Sequence, residues 1–217
     1  MAPTSLSIRR PDDWHVHLRD GPLLTTLLRD TTTDFARAIV MPNLTPPITT
    51  TVLAEAYRQR IFRALPDEVK FKPLMTCFLT DSTSKDDLLA GVRDGVFTAA
   101  KLYPAQVTTN AEAGVTNVHK LDEVFSGMSE SGLPLLVHGE VVDSEVDVFD
   151  REAVFIERVL DPLRSRHPTL KVVFEHITTA TAVDYVKQND ATLLAATITP
   201  HHLMINRNAL FDGGLRP

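Results

Sequence analysis

The sequence predicts an α/β fold, a (β/α)8 barrel with about seven of its eight strands in this chain. Two observations predict it. Short apolar runs rich in branched and aromatic residues recur along the chain, and each is followed by a longer stretch with helical periodicity. Continuous apolar strands joined by helical crossovers form a parallel sheet covered on both faces, and this many repeats favour a barrel over an open sheet. No repeat, low-complexity tract or linker divides the chain, so residues 1–217 read as one barrel domain.

The expected strands are Asp13–Leu18, Ala36–Met41, Phe71–Leu79, Phe97–Tyr103, Leu133–His138, Leu170–His176 and Thr192–Thr197. Between them the helical pattern covers Pro22–Thr31, Thr49–Leu65, Ser84–Asp94, Asn117–Ser131, Asp147–His167 and Thr179–Gln188. Thr49, Thr50 and Thr51 offer caps for the second helix, and Gly132 suits the stop of the fourth. A complete barrel of this kind takes about 250 residues. The count of strands and the ending Gly213-Gly214-Leu215-Arg216-Pro217 therefore lead to the expectation that a C-terminal part lies outside this sequence.

Composition limits the function classes. With 43% hydrophobic and 23% charged residues the chain is ordinary for a globular protein. Its net charge of −6, without a block of Lys or Arg, argues against nucleic acid as a partner. The single cysteine, Cys77, excludes an intrachain disulfide and suits a reducing compartment. No signal-peptide core and no apolar stretch near the ~20 residues of a membrane span are present, so a cytoplasmic protein without membrane contact is expected.

The chemistry-bearing residues cluster at the strand ends. His15 and His17 share one face of a strand, their roots roughly 6–7 Å apart, which is the spacing of a two-histidine metal pincer or of two histidines that simply line the strand. Arg19 closes the same run, Asn43 follows the second strand in Met-Pro-Asn, and Lys101 lies in Ala-Ala-Lys-Leu-Tyr-Pro. His138 ends Leu-Leu-Val-His-Gly-Glu and His176 ends Val-Val-Phe-Glu-His. In barrel enzymes that end of the strands carries the active site. On physical grounds Lys101 reads first as a cation for a substrate carboxylate. The second reading is an amine that reacts with carbon dioxide, the carbamate then bridging two metals about 3.5–4 Å apart.

The segments Ile-Arg-Arg-Pro-Asp-Asp-Trp-His-Val-His-Leu-Arg-Asp-Gly, Ile-Val-Met-Pro-Asn-Leu, Phe-Thr-Ala-Ala-Lys-Leu-Tyr-Pro-Ala, Pro-Leu-Leu-Val-His-Gly-Glu and Val-Val-Phe-Glu-His-Ile-Thr-Thr occur in this order. Together they closely resemble the bacterial-type dihydroorotases of the amidohydrolase superfamily, from about Ile8 to Pro217. The resemblance implies two zinc ions bridged by N6-carboxylysine at Lys101, one held by His15 and His17 and the other by His138 and His176. It implies that Arg19 and Asn43 clamp a substrate carboxylate, a pairing suited to a planar anion, and that Thr108 and Thr109 sit on a loop that closes over the substrate. It also implies a homodimer acting on a small molecule. The reaction would interconvert N-carbamoyl-L-aspartate and L-dihydroorotate in pyrimidine biosynthesis, by attack of a metal-bridging hydroxide on the ring amide.

No catalytic acid–base residue of the family falls within the chain. The expected aspartate belongs to a Gly-Thr-Asp-Ser-Ala-Pro-His type segment on the eighth strand. Neither Asp212 nor His201 and His202 replace that segment. The rival readings are another cyclic amidohydrolase of the hydantoinase, dihydropyrimidinase or allantoinase type, or an inactive fragment or scaffold. The 217 residues alone are expected to show little or no turnover of dihydroorotate. Turnover equal to that of a longer polypeptide carrying the same chain would refute this.

Overall fold

The computed structural model describes residues 5–214. Seven parallel strands form one sheet in strict chain order, each hydrogen-bonded to the next. They are β1 (Asp12–Val16), β2 (Arg37–Val40), β3 (Lys72–Phe78), β4 (Phe97–Leu102), β5 (Leu135–His138), β6 (Val172–Glu175) and β7 (Leu194–Ala196). All seven expected strands are present, each one to three residues shorter in total, and β1 starts one residue earlier than expected, at Asp12. Among the described residues β1 and β7 each have one unpaired edge, so the curled sheet is an open barrel.

The helices lie outside the curl. Helix α1 (Pro22–Asp34) opens on a proline, whose missing N–H costs nothing there. Helix α2 (Thr51–Ala64) is capped by Thr50, whose side chain accepts from the Leu53 N–H at 3.3 Å. Helix α3 (Lys85–Arg93) is capped by Ser84 and carries Asp86 and Asp87 in its first turn, where the helix dipole favours negative charge. Helix α4 (Asp122–Ser131) follows a 3-10 turn at Val118–Leu121 and stops at Gly132 in the left-handed region.

The long helix expected over 147–167 starts later, because Asp147–Asp150 form a turn closed by the Asp150 N–H on the Asp147 carbonyl. It then runs as α5 (Arg151–Phe155), a π turn at Ile156–Leu160, and α6 (Asp161–Arg166). Pro162 has no N–H to give to the Arg158 carbonyl, and the helix widens immediately before it. Helix α7 (Ala180–Gln188) starts from a Thr179 cap. Helix α8 (Pro200–Met204), beyond the last element expected from the sequence, carries His201 and His202. At five residues it is too short to show a period.

Two apolar layers hold this arrangement. The larger lies between sheet and helices, with Leu28, Ala54, Tyr57, Leu88, Phe125, Leu160 and Phe174 among its members. The smaller, Ile39, Met41, Leu74, Ala99 and Leu136 with Val173 against them, fills the inside of the curl. Residues two further along β4, β5 and β6 from Ala99, Leu136 and Val173 are Lys101, His138 and Glu175. They face the same way one step nearer the C-terminal end, since side chains alternate along a strand. The apolar inner layer is thus the floor of a polar site.

Gly91 on α3 is fixed by packing. A Cβ there would lie 2.5 Å from the Phe97 ring and from the Thr51 hydroxyl. Alanine is the better helix former by roughly 1 kcal/mol. Overpacking costs about 1–3 kcal/mol and should win. Gly91→Ala is therefore expected to lower the urea midpoint; a raised midpoint would show that Phe97 can move aside.

Candidate functional site: a histidine cluster around a buried ion pair

At the C-terminal end of the strands four imidazoles stand in a continuous row. His17 and His15 have ring centroids 5.0 Å apart, His15 and His176 5.2 Å, and His176 and His138 4.7 Å. The Nε2 atoms of His15 and His17 approach to 3.1 Å, so two lone-pair donors aim at one point. His15 lies on β1 and His17 directly follows the strand's end, next to an irregularity in the pairing to β2 between Asp13 and Val16. His138 is the last residue of β5, and the next, Gly139, has no room for a side chain: a Cβ would meet the Phe174 ring at 1.8 Å.

Lys101 lies inside this row, fully buried on β4, with its Nζ 4.8 Å from the centre of the Tyr103 ring. Its ammonium donates to the Glu175 carboxylate, also fully buried. The other Glu175 oxygen lies 3.0 Å from His15 Nδ1, at an angle that falls short of a hydrogen bond. The sequence reading missed Glu175 although it named the neighbouring His176. The signal was present: with Val173 facing the interior, the period of two puts Glu175 there as well. The partner of Lys101 among the described residues is therefore a carboxylate of the protein.

Burial decides the charge states. Burial first, then the Lys101 charge, pushes His138 down to about 3 and His176 down to about 2. Burial, His15 and Arg19 push His17 down to about 4. These three imidazoles are neutral at ordinary pH and keep their lone pairs. For Glu175 burial acts upward, but the Lys101 charge and His15 outweigh it and hold the carboxyl at about 2. Lys101 moves below the ordinary lysine value because burial outweighs the opposing pull of Glu175.

The remaining expected residues surround the same space. Arg19 follows β1 with φ 56°, and the buried Tyr57 hydroxyl donates to its carbonyl at 2.5 Å. Arg19 stands two residues beyond His17 in the same run. Asn43 is buried and tied to the loop after β4 in both directions: its Nδ2 donates to the Thr109 carbonyl at 3.1 Å, and Asn110 Nδ2 donates to the Asn43 carbonyl at 3.1 Å. Thr108 and Thr109 are exposed on this loop, whose base is closed by a bridge between Pro104 and Val115. The structure thus brings all nine expected site residues to one end of the sheet. His201 and His202 pair with each other on α8, with ring centroids 4.3 Å apart.

The donor set fits metal ions. Neutral imidazoles with converging nitrogens are the usual partners of zinc, and His15, Glu175 and His176 place three ligand atoms within 4.8 Å of one another. Buried atoms without a partner, His17 Nδ1, Asn43 Oδ1 and the Tyr103 hydroxyl, line the same space and call for polar occupants.

Parallel strands carrying histidines and a lysine at their C-terminal ends make a polar barrel-type site, and the chain belongs to the amidohydrolase family, whose profile matches residues 12–212. Within that family it is similar in sequence to proteins named dihydroorotase. That of Synechococcus sp. (strain CC9605) is 61% identical over 211 residues, 97% of this chain and 60% of the relative. The crystal structure of dihydroorotase from Campylobacter jejuni superposes with TM-score 0.86 at 38% identity, over 96% of this chain and 59% of that one. A dihydroorotase from Saccharomyces cerevisiae in complex with 5-fluoroorotic acid gives TM-score 0.82 at 31% identity, over 92% of this chain and 58% of that one. The chain therefore spans about 60% of the length of the relatives it matches.

Removing one member of a buried ion pair leaves an uncompensated charge and costs about 3–5 kcal/mol, whereas replacing both by apolar groups is often near neutral. Glu175→Leu should lower stability by that amount in urea unfolding. The double variant Lys101→Met/Glu175→Leu should recover most of it. Equal losses in the single and double variants would show that the pair is not what stabilises this centre.

Proposed function

We propose that this chain is the metal- and substrate-binding part of a dihydroorotase, interconverting N-carbamoyl-L-aspartate and L-dihydroorotate in pyrimidine biosynthesis. The observation that carries the reading is the row of four imidazoles around the buried Lys101, with Arg19 and Asn43 at its rim. The sequence identity to named dihydroorotases supports the choice of substrate.

In this reading His15, His17, His138, His176 and a carboxylated Lys101 would together hold two zinc ions. When bound, the two ions supply Lewis acidity and make water a nucleophile near neutral pH. The carbamate nitrogen of a carboxylated lysine keeps one N–H, which can go on donating to Glu175. Arg19 offers a fork of donors to the substrate carboxylate and Asn43 a neutral amide, and together they fix the ring's orientation before the amide is attacked. The Thr108–Asn110 segment, hydrogen-bonded to Asn43, closes the site from water and brings two hydroxyls over the ring. The acid–base aspartate belongs to a segment that the sequence does not contain. A small-molecule substrate, a cytoplasmic location and a homodimer complete the reading. Among the described residues no helix is long and apolar enough to cross a membrane.

Steady-state assays of the natural full-length polypeptide with dihydroorotate, hydantoin and allantoin test this. Selective turnover of dihydroorotate is expected, with Arg19→Ala raising its KM by tenfold or more while the metal content is kept. Selective turnover of hydantoin or allantoin, substrates without a free carboxylate, would overturn the reading.

A further inference from the structure

Glu175 and His176 are adjacent, yet both face the interior of the curl. A regular strand cannot do this, because neighbouring side chains point to opposite faces. The chain escapes the rule at His176, whose φ of 43° lies in the left-handed region. For a residue with a Cβ that conformation costs roughly 1–2 kcal/mol, so it persists only where the surroundings impose it.

Two residues from other elements, Thr197 through its hydroxyl and its carbonyl and Glu152 through its carboxylate, bind the backbone on this turn. The His176 N–H donates to the Thr197 hydroxyl at 2.8 Å, and the Ile177 N–H to the Thr197 carbonyl at 3.0 Å, where the chain leaves β7. Glu152 on α5 is buried and accepts from the next two residues: the Thr179 N–H at 2.8 Å and hydroxyl at 2.6 Å, and the Thr178 N–H at 3.0 Å from one oxygen and 3.1 Å from the other. Thr178 Oγ1 adds a longer contact at 3.4 Å. Four consecutive N–H groups, from His176 to Thr179, are thus satisfied by two residues. Glu152 comes from the connection that follows His138, so the same clamp ties the elements carrying His138 and His176 together.

We propose that Glu152 and Thr197 are positioning residues that hold His176 in its left-handed turn and thereby aim its imidazole at His138. Without the clamp the backbone relaxes to extended geometry and the ring leaves the row. Groups that orient metal ligands typically matter by 10–100-fold in metal affinity. The zinc arm of the test rests on the metal centre proposed above; the structural arm does not.

The experiment uses the natural full-length polypeptide, stripped of metal and titrated with zinc against a competing chelator. Thr197→Val and Glu152→Gln are expected to weaken one of the two zinc sites about 10–100-fold and leave the other within about twofold. Thr197→Ser, which keeps the hydroxyl, restores wild-type binding. Equal weakening of both sites, or of neither, overturns the proposal. Should Glu152→Gln fail to fold, the two Thr197 variants carry the comparison alone. The second readout is a crystal structure of metal-free Thr197→Val. Loss of the positive φ at His176 supports the clamp even if wild type binds no zinc, an outcome that would remove only the metal reading. Retention of the positive φ, with the ring still beside His138, overturns the clamp whatever zinc does.

Discussion

The ion pair between Lys101 and Glu175 organises the centre of this molecule. With Lys101 as a free amine, both groups are fully buried and each compensates the other, so the strands that carry them, β4 and β6, must hold a fixed depth relative to one another. Between them runs β5, whose pairing sets Lys101 opposite Leu136 and His138 opposite Glu175. The ladder therefore meets an electrostatic requirement as well as an apolar one. His17, His138 and His176 remain uncharged because burial and the neighbouring positive charges disfavour their protonated forms.

Much of this was legible in the sequence. Strand and helix positions followed from short apolar runs alternating with stretches of helical period. His15 and His17 were legible because a spacing of two on a strand has only one meaning for orientation. His138 and Lys101 were legible once the strands were placed, because the C-terminal ends of parallel strands form one rim.

Other parts were hidden for physical reasons. Glu175 obeys the alternation and was still passed over, because the adjacent His176 drew the reading to the wrong phase; only a backbone turn at φ 43° allows both to point inward. That turn has no sequence mark of its own, since the residue adopting it is not glycine. The mutual bonds of Asn43 with Thr109 and Asn110 join residues far apart in the chain through loop geometry that no period encodes. The role of Glu152 is equally nonlocal, since within its own helix it reads as an ordinary acidic residue in the first turn.

The phase of β6 has a consequence for how this chain tolerates change. Phe174 packs against Gly139 and the helix layer while Glu175 sits in the polar centre, one residue away on the opposite face. Replacing a single side chain in this strand alters one contact. Deleting or inserting one residue would exchange the two faces, driving an aromatic ring into the charged centre and a carboxylate into the apolar layer. In this region a sequence can drift by substitution while its length stays fixed, so gaps in β6 should be far rarer among working variants than differences of residue.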